Sequence, residues 1–151
     1  MANTQNFYLT RVKGLMTKKN LLNAGYYLAI IVVAVYVAYI KGWIFPNYTS
    51  ISPQAASLMI QQNPTMTVLD VRTPEEFAQG HLQGAVLLPV QVLEENLPQL
   101  APLKGKKIVV YCHSGNRSGV AARVLADEGI IPLNMEGGIS AWQAAGLSVV
   151  R

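Results

Sequence analysis

The chain has 151 residues, a formal net charge of +4, two histidines and one cysteine. That length suits a single domain with an accessory segment, and one cysteine excludes an internal disulfide framework while leaving oxidising and reducing compartments equally open. The positive charge is local: residues 1–41 carry Arg11, Lys13, Lys18, Lys19 and Lys41 and no acid, whereas residues 42–151 carry seven basic and eight acidic side chains without a basic, aromatic-rich run, so no nucleic-acid partner is expected.

Residues 1–20 read as a basic tail. From Leu21 to Ile40, twenty consecutive residues are uncharged and mostly apolar. At a rise of about 1.5 Å per residue they span roughly 30 Å, the thickness of the bilayer hydrocarbon, which predicts one transmembrane signal-anchor helix over 21–40. Tyr26 and Tyr27 lie toward one end and Tyr36, Tyr39 and Trp43 toward the other, where amphipathic rings favour the headgroup level. A buried core helix would show a polar stripe, and a cleaved signal peptide has an apolar stretch of about 7 to 15 residues followed by a small-residue site; neither pattern is present. Four basic residues precede the helix and one follows it, so the positive-inside rule puts the N-terminus in the cytoplasm and the C-terminal domain on the periplasmic or extracellular side.

Residues 41–50, including "FPNYTS", read as a linker, and 51–151 as the domain proper. "SPQAASLMIQQ" predicts a helix with Ser52 as N-cap and Pro53 at the first helical position. "TVLDV" predicts a strand, and "TPEEFAQG" a short helix with Thr73 as cap, Glu76 completing a capping box and Gly80 ending the turn. "AVLLPV" predicts a strand, and "QVLEENLPQL" an amphipathic helix or a pair of turns. "KKIVVYC" is apolar on successive residues, as in a strand buried on both faces in the middle of a parallel sheet. "SGVAARVLADEG" predicts a helix closed by Gly129, "IPLNME" a strand and "GISAWQAAG" a last helix closed by Gly146. The alternation implies an α/β domain with a mainly parallel central sheet flanked by helices.

In such sheets ligands bind where strands turn into helices at their carboxyl ends, and Cys112 stands at such a turn. The stretch Cys112, His113, Ser114, Gly115, Asn116, Arg117, Ser118 forms a tight curl ahead of a helix. Unpaired amides and the helix dipole favour negative charge there, and Gly115 lets several N–H groups point at one centre. A cysteine so placed beside a cation has a lowered pKa and is nucleophilic near neutrality.

Three stretches, "LDVRTPEEFAQGHLQGAVLLP", "VVYCHSGNRSGVAA" and "MEGGISAWQAAG", together resemble the signatures of the rhodanese-like family over roughly residues 51–150. The resemblance implies a rhodanese-like fold and sulfurtransferase activity through a persulfide on Cys112. The donor would be a small sulfur-containing anion of the thiosulfate or polysulfide type, and the acceptor a thiol, a cyanide-like molecule or a protein sulfur acceptor. No cofactor is required, and two histidines with one cysteine make no metal site. Two other readings stand beside it. Phosphatases and arsenate reductases also place Cys and Arg around an anion loop but with five residues between them, whereas here four separate Cys112 from Arg117; and the domain could be a non-catalytic binding or sensing module.

Among individual residues, Arg117 has two readings, binding the donor's oxyanion or pairing with a surface carboxylate. His113 reads as a solvent-facing loop histidine, with tuning of the thiol as the alternative. Asp70 and Arg72 are supporting residues: Asp70 is expected to hold the cysteine loop through backbone amides, and Arg72 to pair with Glu75 or Glu76. His81 and Trp142 read as structural, and the turn at Glu136, Gly137 and Gly138 as a strained one close to the site.

Overall fold

A computed structural model describes residues 18–40 and 47–151, which divide into two compact units, one ending at Phe45 and one beginning at Pro46. In the first, helix α1 (Lys18–Ile40) is the one described helix long and apolar enough to cross a membrane by length and composition. Its large apolar side chains point outward all round, from Leu22 through Ile31 and Val33 to Tyr39. The expected tail over 1–17 and the linker over 41–46 lie outside the described residues.

The second unit is a five-stranded sheet, parallel throughout, with strand order β1-β5-β4-β2-β3. The strands are β1 (Thr49–Ile51), β2 (Val68–Asp70), β3 (Ala85–Leu87), β4 (Lys107–Tyr111) and β5 (Ile131–Met135). Between them run α2 (Pro53–Gln62), α3 (Pro74–Ala78), two 3-10 segments (Val90–Val92 and Glu94–Leu103), α4 (Asn116–Asp127) and finally α5 (Gly138–Ala144). Strand β1 corrects the reading of 41–50 as linker. Its three residues pair with Leu133, Asn134 and Met135, and an exposed edge strand of three residues leaves no hydrophobic run in the sequence. The segment over Glu94–Leu103, expected as an amphipathic helix or a pair of turns, is a 3-10 helix. Pro98 and Pro102 sit within it, and each lacks the amide an α-helix needs.

Strand β4 is central, which explains its uninterrupted apolar sequence, and its alternation builds two cores. Val109 and Tyr111 face Val68, Met135, Ala56 of α2, and Ile139 and Trp142 of α5. Ile108 and Val110 face Leu69, Leu93, and Ala121 and Leu125 of α4. Carrying that alternation one residue past β4 puts Cys112 on the α4 face, within the second core.

A buried polar network fixes the carboxyl edge of β2. Asp70 and Arg72 are almost completely enclosed, and the guanidinium meets the carboxylate through Nε at 2.9 Å to Oδ1 and Nη2 at 2.6 Å to Oδ2. Asp70 Oδ1 also accepts the Arg72 amide at 3.0 Å, and Arg72 Nη2 donates to the Gly80 carbonyl at 2.8 Å. The guanidinium lies 5.6 Å from the Tyr111 ring centre, and the Tyr111 hydroxyl accepts the Leu82 amide at 3.1 Å. Burial works against the Arg72 charge, but Asp70 outweighs it and raises the Arg72 pKa; burial, reinforced by Asp70, drives the Tyr111 pKa upward. Removing one member strands the other, so Arg72→Ala is expected to destabilise the domain by about 3–5 kcal/mol, measured by denaturant unfolding. A loss under about 1 kcal/mol would show that Asp70 finds another partner.

Candidate active site

The site lies at the carboxyl edge of the sheet, where three helix N-termini converge. Strand β4 ends at Tyr111, and after Cys112 the chain curls through Gly115, which adopts φ +92° and directly precedes α4. No side chain caps α4; its free amides turn to sulfur. The Gly115 amide donates to Cys112 Sγ at 3.1 Å, and the Ser118 hydroxyl stands 3.5 Å from Sγ and 3.1 Å from the Gly115 carbonyl. One hydroxyl proton serves one acceptor at a time, so charge on sulfur draws it toward Sγ. Burial opposes a thiolate here. The Ser118 hydroxyl and the amides of Ser118, Ser114 and Gly115 outweigh it, and the Cys112 pKa lies below that of an ordinary thiol.

The far side of the curl rests on α5. The Cys112 carbonyl accepts the Ile139 amide at 2.9 Å and the His113 carbonyl accepts the Ser140 amide at 3.1 Å, so carbonyls that would be orphaned by burial are satisfied. This approach explains the glycine pair. A Cβ on Gly138 would collide with the Cys112 carbonyl oxygen and lie 2.6 Å from the His113 carbonyl carbon, and both Gly137 and Gly138 have positive φ. From β5, Asn134 Nδ2 reaches the Gly115 carbonyl at 3.4 Å and supports the curl from behind.

The anion-loop residues predicted from sequence come together as one curl. Cys112 and Ser118 are buried, His113, Ser114 and Asn116 are exposed, and Gly115 and Arg117 are half-buried. His113 Nε2 lies 3.2 Å from Ser140 Oγ. Arg117 is paired with a carboxylate: Nη1 and Nη2 meet Glu76 Oε2 and Oε1, each at 2.7 Å. Glu76 completes the α3 capping box, accepting the Thr73 amide at 3.1 Å while its own amide donates to Thr73 Oγ1. Arg117 is the main cause that holds the Glu76 pKa down to about 2, and Glu76 in turn raises the Arg117 pKa, to which Cys112 adds.

Two supporting roles require correction. Asp70 spends its carboxylate on Arg72 rather than on the cysteine loop, and Arg72 pairs with Asp70 rather than with Glu75 or Glu76, because the bidentate geometry closes within the strand-end turn two residues apart. His81 is stacked on Phe77 with centroids 3.7 Å apart, and Trp142 Nε1 donates to the Ser148 carbonyl; both are framework residues. Sequence reasoning missed Glu76 as the partner of Arg117 and Asn134 as the rear support. The polar residue inside the apolar strand "IPLNM" was the available signal for the second.

Beside the curl an open cleft of ≈ 320 Å³ is lined by Arg72, Glu76, Gln79, Gly80, His113, Ile139 and Gln143. Among the described residues no group of three or more His, Cys, Asp or Glu side chains could hold a metal ion.

Comparison with known proteins agrees with this architecture. The model of the rhodanese-like domain matches residues 52–145. Thiosulfate sulfurtransferase PspE of Escherichia coli is 35% identical over 71 residues, 47% of this chain and 68% of its own length. A sulfurtransferase of Allochromatium vinosum is 34% identical over 101 residues, 66% of this chain and 92% of its own. The crystal structure of a rhodanese-like domain protein from Staphylococcus aureus superposes with a TM-score of 0.60 at 30% identity, covering 68% of this chain and 99% of that one. The match spans only 56% of the length of an uncharacterized Synechocystis protein that is 40% identical.

If Ser118 stabilises the anion, Ser118→Ala raises the Cys112 pKa. The expected result is a rightward shift of the pH profile for alkylation of Cys112 by iodoacetamide, with slower labelling at neutral pH. An unshifted profile would assign the stabilisation to the amides alone.

Proposed function

The chain belongs to the rhodanese-like domain family, and from that premise we propose that it is a membrane-anchored sulfurtransferase that carries sulfane sulfur as a persulfide on Cys112. The observation that supports this most directly is the group of donors around one sulfur atom: the Gly115 amide at 3.1 Å, the Ser118 hydroxyl, and the amides of Ser114 and Ser118. Donors arranged in advance for an anion stabilise the thiolate and then the persulfide that replaces it, without reorganising between half-reactions.

In the first half-reaction the Cys112 thiolate attacks the outer sulfur of a thiosulfate or polysulfide type donor and expels the rest of the donor as an anion. In the second, a thiophilic acceptor takes that sulfur and returns the thiolate. His113, Ser114, Gly115, Asn116, Arg117 and Ser118 form the loop that cradles the transferred sulfur, while Asp70 and Arg72 fix the carboxyl edge of the neighbouring strand β2. The name of the Escherichia coli relative, a thiosulfate sulfurtransferase, supports this class of donor. The four-residue spacing between Cys112 and Arg117 gives a smaller ring than the five-residue spacing of the phosphatase and arsenate reductase loops, and so favours sulfur over a tetrahedral phosphoryl group.

Anchoring rests on α1, which spans about 34 Å over its 23 residues and is apolar on every described side. The basic residues ahead of its apolar run, Arg11, Lys13, Lys18 and Lys19, orient the catalytic domain to the periplasmic or extracellular side.

Intact-mass measurement of the protein before and after incubation with thiosulfate or polysulfide is expected to show a gain of one sulfur atom on Cys112, removed by cyanide or a thiol. Cys112→Ser should abolish both this gain and turnover while leaving the fold intact; a Cys112→Ser protein that still transfers sulfur would reject the assignment. A reporter fused after Arg151 should be active only on the outer side of the membrane, and cytoplasmic activity would reverse the topology.

A further inference from the structure

The cysteine loop is flanked by two arginines, and both are held by carboxylates. Arg72 is enclosed and bound through Nε and Nη2 to Asp70, with Nη2 also on the Gly80 carbonyl. Arg117 is half-exposed at the start of α4, and each of its two terminal nitrogens donates one N–H to Glu76 at 2.7 Å. The cation that the loop presents to an incoming donor is therefore already neutralised, and Glu76 itself lines the adjoining cleft.

This pairing matters differently to different donors. Thiosulfate brings a dianion, and its leaving sulfite gathers negative charge on oxygens that need unoccupied cationic donors. Arg117 keeps three further N–H groups, but its charge is already matched by Glu76, so a dianion drawn to it meets the Glu76 carboxylate as well. An organic persulfide has no oxyanion bonded to its reacting sulfur pair and leaves as a thiolate with a single charge on sulfur. The cleft is also of a size that suits a small molecule.

We propose that Glu76, by occupying Arg117, biases the site toward low-molecular-weight organic persulfides and against oxyanion donors such as thiosulfate. The proposal rests on the sulfurtransferase reading above and narrows its donor. In the loading step the Cys112 thiolate attacks the terminal sulfur of R–S–SH. The new bond joins Cys112 Sγ to that sulfur, the R–S bond to it breaks, the electron pair leaves on RS⁻ and the proton stays on the transferred sulfur, giving Cys112–S–SH. Charge and atoms balance, and no external oxidant or reductant is consumed.

Glu76→Gln provides the test, because glutamine at the same position can still complete the capping box while giving up the charge that holds Arg117. The full chain in detergent is loaded with thiosulfate or with glutathione persulfide, and the rate of sulfur gain on Cys112 is read by intact mass. For Glu76→Gln, the ratio of kcat/KM for thiosulfate to kcat/KM for glutathione persulfide is expected to rise about tenfold. The gain should vanish in the Glu76→Gln, Arg117→Ala double variant. Glu76→Ala, which also removes the carboxylate, should shift the donor ratio in the same direction and serves if the glutamine variant melts early. A ratio that is unchanged or lower, as from a parallel change for both donors, would overturn the role of Glu76. Failure of the unmodified protein to load from either donor would instead reject the sulfurtransferase reading itself.

Discussion

On the proposed sulfur-transfer reading, an anion on an enclosed sulfur atom is the constraint around which this domain is arranged. Cys112 has no solvent exposure, so water cannot stabilise its thiolate, and protein donors must do so. A turn from a central parallel strand into a helix is a place where several main-chain amides are free to point one way. The Gly115 curl collects them, and the N-terminus of α5 satisfies the carbonyls that the curl leaves on its other side. The two helices thus do complementary work: one stabilises the sulfur, and the other makes burial of the backbone around it tolerable.

The two ion pairs near this turn serve different ends. The Asp70–Arg72 pair is buried, joined to Gly80 and stacked near Tyr111, and its integrity is a condition of folding because either member alone would be an unpaired buried charge. The Glu76–Arg117 pair is about one-third exposed, and pairs of that kind contribute about 0–1 kcal/mol. Its geometry is nonetheless bidentate, and it joins the first turns of α3 and α4 beside the curl. Its consequence is therefore electrostatic rather than structural.

Much of this was legible in the sequence because local chemistry and fold agree there. The Thr73 capping box, the Pro53 helix start, the doubly apolar run of β4 and the turn-closing Gly129 and Gly146 each follow from short-range rules, and each stands where expected. The cysteine curl was readable for the same reason. What escaped was set by distance along the chain. Two of the three residues of β1 are polar, and the strand is defined by pairing with β5, more than eighty positions away. Arg117 and Glu76 are 41 residues apart, and no spacing rule joins them. Arg72 had three carboxylates within reach in sequence, and the choice among them depended on which way the strand end turned.

The division of labour within the curl has an evolutionary consequence. The groups that hold the anion are largely main-chain amides, fixed by two glycine-dependent turns and by a strand behind them. The side chains of His113, Ser114 and Asn116 point outward. Mutation can therefore redraw the outer surface of the loop, and with it the molecules that dock there, while the cradle around sulfur is inherited intact. On the proposed reading, a lineage built on this turn can change its clients without having to reinvent its nucleophile.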